Sequence, residues 1–213
     1  MNSNDTVKVW DPLVRIGHWT LVAGFFIAFM VGDDILWLHR YAGYLTVAIV
    51  ALRIPWGIVG TRYARFTNFV YRPRTVIAYL KDVAAFRPKR YLGHNPAGGA
   101  MIIALLLLIP LLTLTGMAAE TIKDGSGPLA VYTVGGTPLW LKALALPHEL
   151  LTNLAMAMVI AHIVGVLITS LQHRENLVRA MITGRKPAPR QPIAPSTIIE
   201  GAKSAASDHH CGD

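Results

Sequence analysis

Cysteine is nearly missing from this chain: its 213 residues hold one, Cys211, close to the C-terminus. That excludes an internal disulfide framework and any metal cluster held by thiolates alone. Charge is also scarce, at 15% against 53% hydrophobic residues, with a mean hydropathy of +0.43. An ordinary soluble domain carries more charge; this balance fits a polytopic membrane protein. Acids are the rarer sign, 12 against 20 bases, for a formal net charge of +8. The excess is not a nucleic-acid footprint, because the bases sit in connections between apolar runs, where topology rules put them. Internal repeats are lacking. The first apolar run begins at Ile16, after Asp5 and Asp11 and without an A-x-A-like site, so a cleaved targeting peptide is not expected.

What is present is four long apolar runs, at about 14–32, 36–59, 97–119 and 147–172. A spanning helix needs about 20 apolar residues. The pattern predicts an all-α membrane protein, a four-transmembrane-helix bundle over residues 1–186, followed by a flexible tail at 187–213. Asp33 and Asp34 break the first run, Pro55 and Gly57 weaken the end of the second, and Pro110 predicts a kink in the third. Residues 60–96 form a long basic connection with eight Lys or Arg and one acid, Asp82. Within it TVIAYLKDVAAF predicts a short amphipathic helix at the lipid headgroups. Glu120 to Leu146 is a Gly/Pro-rich connection. Sixteen bases fall on the side of the two termini and the basic connection; Arg40, Lys123 and Lys142 fall on the other. The positive-inside rule then predicts cytoplasmic termini.

Ionisable residues inside membrane helices are costly and usually functional. His148 and His162 lie fourteen residues apart on the fourth run. At 1.5 Å and 100° per residue they are about 21 Å apart and within roughly 40° of one face. His39, at the outer start of the second run, shares the depth of His148. His18, at the inner start of the first, shares the depth of His162. Each pair can offer two imidazole nitrogens across a gap between helices, which suits the two axial positions of a haem iron. Gly17, Gly43 and Gly165 flank these histidines and permit close approach of a macrocycle, although small residues also serve helix packing in membranes. Arg15, Arg40 and Arg53 lie near the same depths, where they could pair with haem propionates or simply snorkel. His94, in GHNPAGG at the mouth of the third run, could line a quinone pocket, hold a propionate or serve the helix start. His173 belongs to the solvated end of the fourth run. The terminal DHHCGD lacks zinc-site spacing and reads as tail.

The segments WDPLVRIGHW, LHRYAGY, RYLGHNPAGG and PHE…AHIVG, with its fourteen-residue spacing, resemble the bacterial cytochrome b561 and nickel–iron hydrogenase b-subunit group over about Val7 to Lys186. That group consists of di-haem b membrane cytochromes, some with a fifth span; this chain shows four. The resemblance implies two haem b groups, one held by His18 and His162 and one by His39 and His148. It also implies electron transfer between a quinone pool and a redox partner such as a hydrogenase, a dehydrogenase or a c-type cytochrome. One alternative is a stand-alone superoxide or other small-substrate:quinone oxidoreductase. Another is a haem-free metal-ion transporter, against which stand the pairing of the histidines at two depths and the lack of a mid-span carboxylate.

Overall fold

The computed structural model describes residues 6–188. The DHHCGD segment and most of the expected tail lie outside the described residues. In chain order the elements are β1 (Thr6–Lys8), α1 (Pro12–Val31), α2 (Leu36–Val59), α3 (Pro73–Ala84), α4 (Pro96–Asp124), α5 (Leu139–Ala145), α6 (His148–His173), α7 (Leu177–Thr183) and β2 (Arg185–Pro187). Helices α1, α2, α4 and α6 are long and apolar enough to cross a membrane. Large apolar side chains such as Ile16, Leu107, Leu150 and Leu171 point outward. Lipid is the solvent that makes such a surface stable, since a spanning helix bonds its backbone polar groups internally, the turns before Pro55 and Pro110 excepted.

The helix starts follow from local chemistry. Asp11 caps α1 by accepting from the Val14 N–H at 3.0 Å, with Pro12 in the first turn. Asn95 caps α4 by accepting from the Gly98 N–H at 2.7 Å, with Pro96 in the first turn. Both satisfy amides that have no partner inside the helix. Asp11 also accepts from the Trp56 indole at 3.1 Å and the Thr61 hydroxyl at 2.6 Å, which ties the start of α1 to the end of α2. Burial works to raise its carboxyl pKa, but the hydrogen bonds from Thr61, Val14, Trp56 and Leu13 prevail and hold it below the ordinary value. Small residues let α1 and α2 pack closely: a Cβ on Gly24 would meet the Thr46 hydroxyl at 2.7 Å.

Four boundaries differ from the sequence expectation. Helix α4 runs to Asp124, where Gly125 ends it in a left-handed conformation, so Glu120 is inside the helix and not in the following connection. Its charge does not stop the span because Arg40 and Tyr44 of α2 meet it. The connection after α4 contains a short helix, α5. The stretch after α6 is ordered: it forms α7 and then β2. β2 pairs antiparallel with β1, Val7 opposite Lys186, and ends at Pro187, one residue beyond the expected domain edge. The all-α expectation therefore holds for the bundle but misses this two-stranded clasp.

The clasp brings the two ends of the described chain onto one face, called here the termini face. The Val9 and Trp10 amides donate to the Gly184 carbonyl at 2.8 and 3.1 Å. Val9, Trp10, Val14 and Ala64 form a small buried cluster beneath it. Arg90 pairs with Glu175 and donates to the Pro187 carbonyl. The opposite end of the bundle, with the α1–α2 turn and α5, is the far face. Helix α4 packs on both α2 and α6, and α1 on α2, whereas α6 makes at most marginal backbone approach to α1 and α2.

Candidate functional site, two facing histidine pairs

The gap between α6 and the α1–α2 pair is where the histidines meet. The ring centroids of His18 and His162 are 6.3 Å apart, toward the termini face. Those of His39 and His148 are 6.2 Å apart, toward the far face. Two imidazoles bound on opposite sides of one metal ion, at roughly 2 Å per metal–nitrogen bond, hold their centroids about 6 Å apart. Direct hydrogen bonding between rings would bring them closer, and ordinary packing sets no common spacing. Two pairs at one separation is what a shared ligand between each pair requires. Among the described residues no cluster of three or more His, Cys, Asp or Glu could hold a bare metal ion.

The far-side rings are aimed by backbone carbonyls. His39 Nδ1 lies 2.9 Å from the Ala28 carbonyl of α1. His148 Nδ1 lies 3.2 Å from the Leu112 carbonyl and 3.1 Å from the Thr115 hydroxyl of α4. A carbonyl accepts a hydrogen bond and cannot donate one, so each Nδ1 carries the proton and each Nε2 is left with a free lone pair. Gly116 makes room for the second ring: a Cβ there would stand 2.9 Å from His148 Cε1. A cavity of about 170 Å³ is lined by His39, Arg40, Gly43, Gly116, Glu120 and His148, among others. A Cβ on Gly43 or on Gly165 would meet nothing within 4 Å, so both glycines border open space beside a histidine.

The other expected site residues separate into two groups. Toward the termini face, the Arg15 Nε, the Arg53 Nη1 and the His94 Nδ1 are buried without a hydrogen-bond partner. Arg53 donates from its other terminal nitrogen to the Ala64 carbonyl at 2.8 Å. His94 is packed between Trp10, with centroids 4.4 Å apart, and Phe69, at 4.7 Å. Burial pushes its pKa down to about 3, assisted by the nearby charges of Arg53, Lys186, His162 and His18. It is a neutral ring at the edge of the His18–His162 site. Toward the far face, Arg40 likewise has a buried Nε without a hydrogen-bond partner, while its terminal nitrogens pair with Glu120 at 3.6 Å and with Asp124. Sequence reasoning missed Glu120, Asp124 and Tyr44. Their signal was Arg40, an arginine at the depth of a histidine, which needs an acid at the same height.

The residues fit a flat macrocycle between each pair: matched imidazole separations, ring nitrogens aimed by carbonyls in the far-side pair, open space over Gly43 and Gly165, and buried unpartnered guanidinium nitrogens of Arg15, Arg53 and Arg40. Residues 9–184 match the family model described as prokaryotic cytochrome b561, and the chain belongs to that family. It is a membrane b-type cytochrome of electron transport. A probable Ni/Fe-hydrogenase B-type cytochrome subunit from Rhizobium leguminosarum bv. viciae is 26% identical, over 85% of this chain and 89% of the relative. One from Rhodobacter capsulatus is also 26% identical, over 85% and 81%. A probable Ni/Fe-hydrogenase 1 B-type cytochrome subunit from Escherichia coli K12 is 25% identical, over 83% and 88%. No solved structure matches the chain.

Proposed function

We propose that the chain holds two haem b groups, one between His18 and His162 and one between His39 and His148. In this reading it passes electrons across the membrane between a quinone pool and a redox partner. The single observation that carries the reading is the pair of equal ring separations, 6.3 and 6.2 Å. When bound, haem supplies a reversible one-electron iron couple. The protein's part is to ligate, orient and bury. The Ala28 and Leu112 carbonyls hold His39 and His148 in one tautomer, with Nε2 toward the gap. Arg15, Arg53 and His94 each have a buried nitrogen without a partner, which carboxylates of a termini-side cofactor would satisfy. The relatives named as hydrogenase cytochrome subunits support a hydrogenase as partner. The basic loops support cytoplasmic termini, which makes the far face the periplasmic one.

Purified protein should contain two haems per chain. His162→Ala should lose the termini-side haem and His39→Ala the far-side one, each leaving a single b-type spectrum. In proteoliposomes both variants should stop electron transfer from an external reductant to an internal acceptor. Retention of two haems in either variant contradicts the ligand assignment. Turnover of superoxide or another small substrate by the chain alone would favour a stand-alone oxidoreductase.

A further inference from the structure

Helix α3 has one side in the protein and one side bare. It packs on α4, and Gln172, the last residue but one of α6, donates to the Val83 carbonyl at 2.9 Å. The end of α3 is therefore held where a spanning helix ends, at the bilayer surface of the termini face. Tyr79 is 4% exposed, with its ring against Tyr91 at 5.7 Å between centroids. At 100° per residue, Val76, Tyr79 and Val83 share a sector of roughly 60°, the one turned inward. The next sector holds Ile77, Leu80 and Ala84; Ile77 is 54% exposed and Leu80 51%. Beyond it stand Arg74 and Lys81, both exposed, about 10.5 Å apart along the axis and about 20° apart around it. Arg72 precedes the helix, and Arg87 and Lys89 follow it. Among the described residues none of these five bases is in an ion pair. The one acid of the connection, Asp82, lies on the opposite side of the helix from Leu80. At the helix end the Phe86 N–H donates to the Val83 carbonyl and the Arg87 N–H to the Asp82 carbonyl. That closing pattern usually places glycine where Phe86 stands; here Phe86 takes φ +56° and is 81% exposed.

We infer that the outer side of α3 is a binding site for an anionic phospholipid, with Arg74 and Lys81 on the headgroup phosphate and Ile77 and Leu80 against the acyl chains. The order of the sectors carries the inference. Apolar surface left in water is costly, so the Ile77–Leu80 strip calls for an apolar neighbour. The bases along its edge call for negative charge, which the chain does not supply to them. A free phosphate would match the bases and leave the strip wet. An uncharged lipid would cover the strip and leave the bases unmatched. An anionic phospholipid supplies both needs in the order the helix presents them, as at the boundary between headgroups and acyl chains. Phe86 adds an apolar ring at the end of the same helix. The site depends on the termini face lying at a bilayer surface; it depends neither on the two-haem reading nor on which side of the membrane that face occupies.

The test is native mass spectrometry of the purified full chain in neutral detergent, titrated with phosphatidylglycerol and, in parallel, with phosphatidylcholine of the same acyl chains. The first phosphatidylglycerol should bind more tightly than the first phosphatidylcholine. A base at a charged membrane surface strengthens association about fivefold. Arg74→Gln with Lys81→Gln should therefore weaken phosphatidylglycerol by up to about 25-fold and leave phosphatidylcholine unchanged. Arg62→Gln with Arg179→Gln, the same charge change on exposed residues away from α3, should leave both lipids as they were. Ile77→Ser with Leu80→Ser keeps the bases and should weaken both lipids. Should a double variant fail to accumulate, its single variants carry the test, with about a fivefold loss expected for Arg74→Gln or Lys81→Gln. Equal binding of the two lipids by the unaltered chain overturns the inference. So does a preference that survives loss of Arg74 and Lys81, or one that falls equally in the Arg62 and Arg179 control, which would be charge spread over the whole face. Displacement of the lipid by inorganic phosphate, or by polyglutamate, overturns it in favour of a soluble anion or an acidic protein partner.

Discussion

Replacing Gly116 by alanine puts a methyl group 2.9 Å from His148 Cε1 and 3.4 Å from its Nδ1. Carbon–carbon contacts settle at about 3.5–4.0 Å, so the ring must retreat by roughly 0.6 Å or more. Its Nδ1 is already 3.2 Å from the Leu112 carbonyl, and such a retreat takes it out of hydrogen-bond reach. Overpacking costs about 1–3 kcal/mol, and the lost hydrogen bond about 0.5–1.5 kcal/mol. Removing a glycine from mid-helix returns about 0.5–1 kcal/mol. The balance, about 0.5–4 kcal/mol against the far-side site, is roughly a 2- to 700-fold loss of haem affinity at about 1.4 kcal/mol per tenfold. The assay is competitive extraction of haem by an apo-globin, followed by absorbance. Gly116→Ala should give two phases, one haem leaving early and the other at the original rate. Gly17→Ala is the control, because its Cβ would meet Ile49 at an ordinary 3.5 Å and it lies beside the other pair. Extraction from Gly116→Ala that matches the unaltered chain in both phases would refute the claim that His148 depends on the space left by Gly116.

Two pH-dependent predictions concern the termini face. The Asp11 carboxyl has a folded-state pKa below its ordinary 3.8, so its contribution to stability is complete above that value and is lost as pH falls through the folded pKa. Asp11→Asn, which keeps one acceptor oxygen, should destabilise the chain at neutral pH by about 0.5–2 kcal/mol as a weakened cap and tie, and the loss should shrink below pH 3.8 in acid-unfolding curves. His94 has the opposite charge type: its pKa falls from 6.5 to about 3 on folding, so the unfolded chain binds a proton that the folded one refuses. Stability should therefore decline as pH drops below 6.5, and His94→Phe should flatten that decline in thermal unfolding monitored between pH 7 and 4; an unchanged profile would mean the ring titrates normally.

The sequence carried the four spans because apolar length is a property of composition, and it carried the histidine pairs because a regular helix converts residue number into depth and azimuth. His148 and His162 could be placed at two heights on one face before any coordinates, and the structure sets His39 and His18 opposite them. The groups that aim the rings left no such trace. The Ala28 and Leu112 carbonyls belong to residues whose side chains are unremarkable, and any residue type would present the same oxygen. The clasp was hidden for a different reason: its strands are three residues each, too short for alternation to be read, and their pairing joins opposite ends of the described chain. Glu120 was misplaced because an acid following an apolar run reads as the end of a span. That rule assumes the acid must reach water. Here Arg40 and Tyr44 sit at its height on the neighbouring helix, and a carboxylate that is met inside the bundle need not leave it. The same matching of heights that relates the histidines across the gap, applied to Arg40, leads to Glu120 and the far-side cavity wall. In a spanning bundle, depth alignment is thus the general constraint: a polar group is tolerated where a partner of suitable chemistry occurs at the same level on an adjacent helix.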